Sequence, residues 1–273
     1  EIPGYLAVGV IAIIIIMREQ VLAVVSLILL GVATALPGYF PEIGGILVLT
    51  MLSSIGFHYF ETVNQSLQLQ WLPKDRAPQI LGWIVAAGSA ASLLSYGALV
   101  ATWLSFDPCY AVVYMVAGGT CAASAVFCLL AYPQFEAPNP QAKKLVLRRR
   151  YWLYYALQFM SGARRQIFVV FAAFMMVEHF GFEVQQVTAL FIINFVAYML
   201  FAPLIGFAVG RFGERKALCF EYIGLMLVFL AYGGIYWFGW GAALAAARYV
   251  IDHLFFALAL ALKTYFQKIS APE

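Results

Sequence analysis

Hydrophobic residues run along this chain in long blocks, separated by short breaks rich in proline, glycine or charge, and the blocks lack the two-residue alternation of half-buried strands. Read as membrane-length helices, they fall at about residues 3–17, 21–39, 43–71, 78–104, 108–132, 151–177, 185–208, 217–238 and 240–266. The pattern predicts an all-α polytopic membrane helix bundle of about nine spans. A β-barrel is excluded, because barrel strands alternate apolar with polar residues over about ten positions. The first block is short for a bilayer of about 30 Å and begins after a single charged residue, Glu1, with no initiating Met; the sequence therefore reads as a fragment or a processed product.

Inside the third block lies a run of polar groups, from His58 to Gln70. At 100° per residue, His58, Glu61, Gln65 and Gln68 fall within an arc of roughly 80°, with Asn64 nearby. In water such a stripe is the wet face of an amphipathic helix. Composition removes that reading: 64% of the 273 residues are hydrophobic and 11% charged, with a mean hydropathy of +0.88, against about 25% charged in an ordinary globular domain.

Ionisable residues deep in blocks recur at every third one: His58 and Glu61 in the third, Arg164 and Arg165 in the sixth, and Arg248, Asp252 and His253 in the ninth. The five formally charged members would together cost about 12–18 kcal/mol if they faced lipid at mid-bilayer, so they are expected to face protein or a watery cavity. Arg248 and Asp252 are spaced to pair within one helix, and Arg164 or Arg165 is the expected partner of Glu61. The structural alternative is that such pairs only fix helix packing. That alternative is stronger for Glu221, which is expected to reach the interface or the basic loop before it. The four cysteines stand singly, without CxxC or metal-ligand spacing, and read as packing residues.

Loop charge orients the chain. Thirteen Lys and Arg residues fall in one alternating set of connections and none in the other, which places the basic loops in the cytoplasm, as in a bacterial inner membrane. The one long connection, 133–150, carries Pro133, Pro138 and Pro140, then Lys143, Lys144 and Arg148 to Arg150, and reads as a linker between an N-terminal part, 1–132, and a C-terminal part, 151–273. Within these, Trp71 to Gln79 aligns with Tyr265 to Glu273 at an offset of 194, keeping Lys, Ala and Pro, which predicts two parallel pseudo-repeats.

The segment Gly206-Phe-Ala-Val-Gly210-Arg211-Phe212-Gly213-Glu214-Arg215-Lys216 resembles the cytoplasmic loop motif of the major facilitator superfamily, G-x-x-x-D-R-x-G-R-R, with Gly210 in place of the usual Asp and Glu214 in place of an Arg. The first-half copy is reduced to Met17-Arg18-Glu19-Gln20, and the family's Gly-Pro fifth-helix motif is absent, although Gly82, Gly88 and Gly97 would still allow close helix packing. The resemblance implies that the blocks correspond to the family's second to tenth helices, and that the three charged spans are among those lining its central cavity.

What it implies functionally is a secondary active transporter of a small polar or charged organic solute, working by alternating access and coupled to protons or Na+. Glu61 and Asp252 would carry the coupling charge, with His58 and His253 as relays. Arg164 or Arg165 would bind an anionic group, and Asn64, Gln65 and Gln68 would hydrogen-bond the solute. The lipid bilayer and the solute are the expected partners of a monomer, with no nucleic acid, cofactor or metal. A receptor or assembly subunit that keeps the fold without transport is the alternative, suited to the reduced first-half loop. An intramembrane enzyme is disfavoured, since His58-x-x-Glu61 has no nucleophile with a neighbouring base beside it.

Overall fold

Breaks between helices fall where the backbone demands them. Pro37 and Pro41 close off one helix and precede the next, Pro73 follows another, and Gly213 (φ 90°) and Gly239 (φ 62°) take up conformations that side-chain-bearing residues rarely adopt. The computed structural model describes residues 9–106, 108–132, 148–167 and 172–270. Among them the regular elements are all helical: α1 (Val10–Ile14), α2 (Glu19–Ala35), α3 (Ile43–Trp71), α4 (Ala77–Phe106), α5 (Tyr110–Ala131), a 3-10 turn (Arg149–Tyr151), α6 (Trp152–Ile167), α7 (Ala173–Glu178), α8 (Val184–Phe212), α9 (Glu214–Phe238), α10 (Ala242–Ala257) and α11 (Ala259–Ile269).

Six stretches of the described residues are long and apolar enough to cross a membrane: α3, most of α4, α5, most of α8, most of α9, and α10 with α11 taken together. The remaining blocks differ from the nine-span reading. The described part of the first holds only the short α1, and α2, at 17 residues, falls just below membrane length. The sixth block is represented by α6 and α7, with residues 168–171 outside the described set, and the ninth is interrupted at Leu258. The linker at 133–147 also lies outside the described residues.

The chain divides into two compact units, one of residues up to Trp71 with 100–146, the other of Leu72–Leu99 with Leu147–Pro272. In the first, α2 packs along both α3 and α5. Small residues let the backbones meet there: a Cβ on Gly118 would stand 2.3 Å from the Gly31 carbonyl oxygen and 2.4 Å from the Ala35 amide nitrogen. A core of Val10, Leu22, Ala23, Val63 and Leu67 closes the end of α3 onto α1 and α2.

In the second unit, α8, α9, α10 and α11 pack together with the first part of α4. A Cβ on Gly206 would meet the Pro78 carbonyl oxygen at 2.4 Å, and one on Gly82 the Ala202 carbonyl oxygen at 2.5 Å. Gly206, the first glycine of the loop motif, is thus a packing position. Of the three α4 glycines expected to allow close approach, only Gly82 has a close neighbour among the described residues; Gly88 and Gly97 face none of them. Two apolar cores fill the unit, one around Val209, Leu218, Ala261 and Leu262, the other around Met176, Leu190, Val228 and Tyr249.

Candidate functional site

α10 leaves the turn at Gly239 and carries four polar side chains on two successive turns. Arg248 and Asp252 are one turn apart, as are Tyr249 and His253. Asp252 is 0% exposed and Tyr249 1%. The expected Arg248–Asp252 ion pair is not formed. Instead the Arg248 guanidinium lies over the Trp240 ring, 4.7 Å from its centroid. The left-handed backbone at Gly239 brings Trp240 alongside, and a planar, weakly hydrated cation stacks favourably on the face of an indole.

His253 is held by two neighbours. Its Nδ1 lies 3.0 Å from the Tyr249 carbonyl oxygen, and its ring is 4.4 Å from that of Tyr249. A carbonyl only accepts, so Nδ1 carries the hydrogen, and in the neutral ring Nε2 is left as an acceptor.

α8 supplies the facing wall. Phe191 meets Tyr249 at 6.2 Å between ring centroids, and Tyr198 meets His253 at 6.4 Å. Asn194 lies between these two contacts along the same stripe of α8. It is 3% exposed, and neither its amide nitrogen nor its oxygen is hydrogen-bonded; the Tyr249 hydroxyl and one Arg248 amino group are likewise without a partner among the described residues. From α9, Tyr232 stands within electrostatic reach of Asp252, Tyr249 and Arg248. Among the described residues, the second unit therefore holds a buried polar cluster in which Asn194, Tyr249 and Arg248 keep hydrogen-bonding capacity that no neighbouring side chain consumes. Nearly all such groups in folded proteins are satisfied, so this concentration points to a site rather than to packing.

The stripe of α3 belongs to the first unit. His58, Glu61, Asn64, Gln65 and Gln68 are all partly buried. Gln65 donates to Glu61 at 3.3 Å, the ring of His58 sets edge-on to Phe57 at 5.4 Å, and the Thr62 hydroxyl donates to the His58 carbonyl oxygen at 2.8 Å. Near the end of the helix, Ser66 and Gln70 both donate to Glu19, at 3.2 and 2.6 Å. Arg164 and Arg165 lie on α6, and their side chains, with the pairing to Glu61 expected of them, fall outside the described set.

The loop motif joins α8 to α9. Gly210 and Arg211 end α8, Gly213 makes the turn, and Glu214, Arg215 and Lys216 open α9. Arg211 leans over Phe212, 5.8 Å from the ring centroid. Glu214 takes Lys268 of α11 at 2.6 Å. Glu221, expected to reach the interface, is instead 2% exposed, because its turn of α9 faces the interior of the unit.

Asn194, Tyr232, Tyr249 and Trp240 were not singled out by the sequence pattern. An amide within the apolar block of α8 was the available signal for Asn194. The aromatics carried none, since a tyrosine or tryptophan in a span reads first as a belt or packing residue. A family model described as Major Facilitator Superfamily matches residues 4–260. No curated protein matches the chain.

Proposed function

The chain belongs to the major facilitator superfamily and is an integral membrane transporter of that type, and on that premise we propose that it is a secondary active transporter of a small polar or charged organic solute. The two halves, 1–132 and 151–273, alternate access about the polar residues of their spans, and protons or Na+ drive the cycle. The observation that carries this reading is the buried cluster of the second unit, where Asp252 is fully enclosed beside Tyr249, His253 and Asn194. A carboxylate is costly to ionise at such a depth, so gain or loss of its charge is coupled to the charges around it. Asp252 carries the coupling charge, His253 relays it, and Arg248 on its Trp240 platform binds an anionic group. Glu61, with Gln65, serves the first half in the same way. The setting is a bacterial plasma membrane with the basic loops inside, and the transporter works as a monomer.

The test is solute uptake by the full-length polypeptide in proteoliposomes, with counterflow measured in parallel. Asp252→Asn is expected to abolish uptake driven by an ion gradient while leaving exchange of pre-loaded solute. Gradient-driven uptake that survives in Asp252→Asn sinks the coupling assignment. Absence of both uptake and counterflow in wild type, across amino acids, sugars and organic acids that bind the protein, favours a receptor instead.

A further inference from the structure

Away from the polar cluster, a groove of about 450 Å³ opens between α8, α9 and α10. Its walls are apolar, from Ile205 and Phe212 on α8, Phe220 on α9, and Ile251 and Leu254 on α10. Lys216, in the first turn of α9, is the one charged residue among the described residues that line it. We propose that this groove holds an acyl chain of an anionic phospholipid, with the lipid phosphate seated on Lys216.

The chemistry of the walls excludes a polar solute, which would surrender its hydration and recover no hydrogen bond along the groove. Its reach fits a lipid tail. Along α10 and the break that follows it the lining runs from Ile251 to Leu258, about 10 Å at 1.5 Å per residue, against the about 15 Å of one leaflet in a 30 Å hydrocarbon core. Charge then selects the headgroup. Lys216 is exposed and has no ion-pair partner among the described residues, whereas Lys268 at the same end of the unit is held by Glu214. Arg215 beside it is also exposed. A lysine here can lay its stem along the apolar wall and present its ammonium at headgroup level, which is how lysines sit at a membrane interface. The positive-inside rule puts this end of the unit at the leaflet that carries anionic lipid. Phe255 gives the groove a firm wall, since its ring lies so close to Gly224 that a Cβ there would be 2.1 Å from it.

Native mass spectrometry of the full-length polypeptide, purified and then offered phosphatidylglycerol or phosphatidylcholine with identical tails, tests the proposal. Wild type is expected to retain phosphatidylglycerol at least fivefold over phosphatidylcholine. Lys216→Gln should bring that ratio close to one, Lys216→Arg should keep it, and Ala208→Phe, which fills the groove, should remove both lipids. A phosphatidylglycerol carrying a photoreactive group on its tail, in vesicles of the same lipid, gives a readout that needs no variant: it is expected to label residues 205–220 and 251–258. Equal retention of the two lipids, or full retention in Lys216→Gln, overturns the assignment. So does displacement by glycerol phosphate, which would make it a headgroup site without a tail. Labelling elsewhere, or crosslinking of a Leu254→Cys variant to another protein segment in those vesicles, means that protein rather than lipid covers the groove, and also overturns it.

Discussion

Glu214, the first residue of α9, is joined to Lys268 in the last turn of α11 by an ion pair of 2.6 Å. The first unit has a counterpart. Glu19, the first residue of α2, accepts from Gln70 at 2.6 Å and from Ser66 at 3.2 Å, close to the end of α3. In each unit an acid that begins a helix, where the macrodipole favours it, ties down the far end of another. The first-half loop, although reduced to Met17-Arg18-Glu19-Gln20, keeps a tether of its own. Its degeneration therefore argues less against a transport cycle than the loop sequence suggests.

Lys268→Gln is expected to cost about 1–2 kcal/mol, between an exposed pair and a buried one, because it strands the buried Glu214 carboxylate. Chemical or thermal unfolding in detergent measures it. The double exchange Glu214→Lys with Lys268→Glu should recover only part of the loss, since a lysine at the start of α9 opposes the dipole. Full recovery would show that the dipole contributes nothing there.

Gly206→Ala should destabilise by about 1–3 kcal/mol, because the new methyl meets backbone atoms of Pro78 that have no rotamer to yield. Gly88→Ala faces open space and should instead stabilise α4 by roughly 0.5–1 kcal/mol. A comparison of melting temperatures decides it; equal shifts in the two variants would contradict the packing assigned to Gly206.

Much of the helical layout was legible in the sequence. α3 spans the residues its apolar block predicts, because prolines flank it on both sides and nothing inside competes. The ends of α8 and α9 were less so: Glu214, Arg215 and Lys216 read as a loop by hydropathy, but they form the first turn of α9 because Gly213 alone makes the connection. The interruption at Leu258 had no signal, since neither glycine nor proline stands near it. At the site, spacing on one helix suggested that Arg248 pairs with Asp252. Arg248 lies instead over Trp240, which a turn brings in, and partners from outside the helix are what a periodicity argument cannot supply.

Asn194→Leu and Tyr249→Phe separate function from packing. Neither side chain spends its hydrogen bonds on the described residues, so removing the polar group should leave stability unchanged or raise it by up to about 1 kcal/mol. If the cluster binds solute, uptake should nonetheless fall at least tenfold, chiefly through a weaker KM. Intact transport in both variants would reduce the cluster to a packing feature.

Glu61→Gln keeps the size of the side chain and its contact with Gln65 while removing the charge. Uptake measured from about pH 5 to 8 should lose its pH dependence while solute binding persists. An unchanged profile would leave coupling to Asp252 alone.

The first unit packs helices of very different length. α2, with 17 residues, is about 25 Å long, while α3 beside it, with 29, is about 43 Å, on either side of a hydrocarbon layer of about 30 Å. No flat bilayer suits both. The membrane has to thin beside α2 while α3 tilts or projects, at a cost of fractions of a kcal/mol per Å of mismatch. Lipid tail length is then a variable that acts on the protein directly: shorter tails relieve α2, longer ones relieve α3, and the thickness of the host membrane sets the tilt at which the two pack.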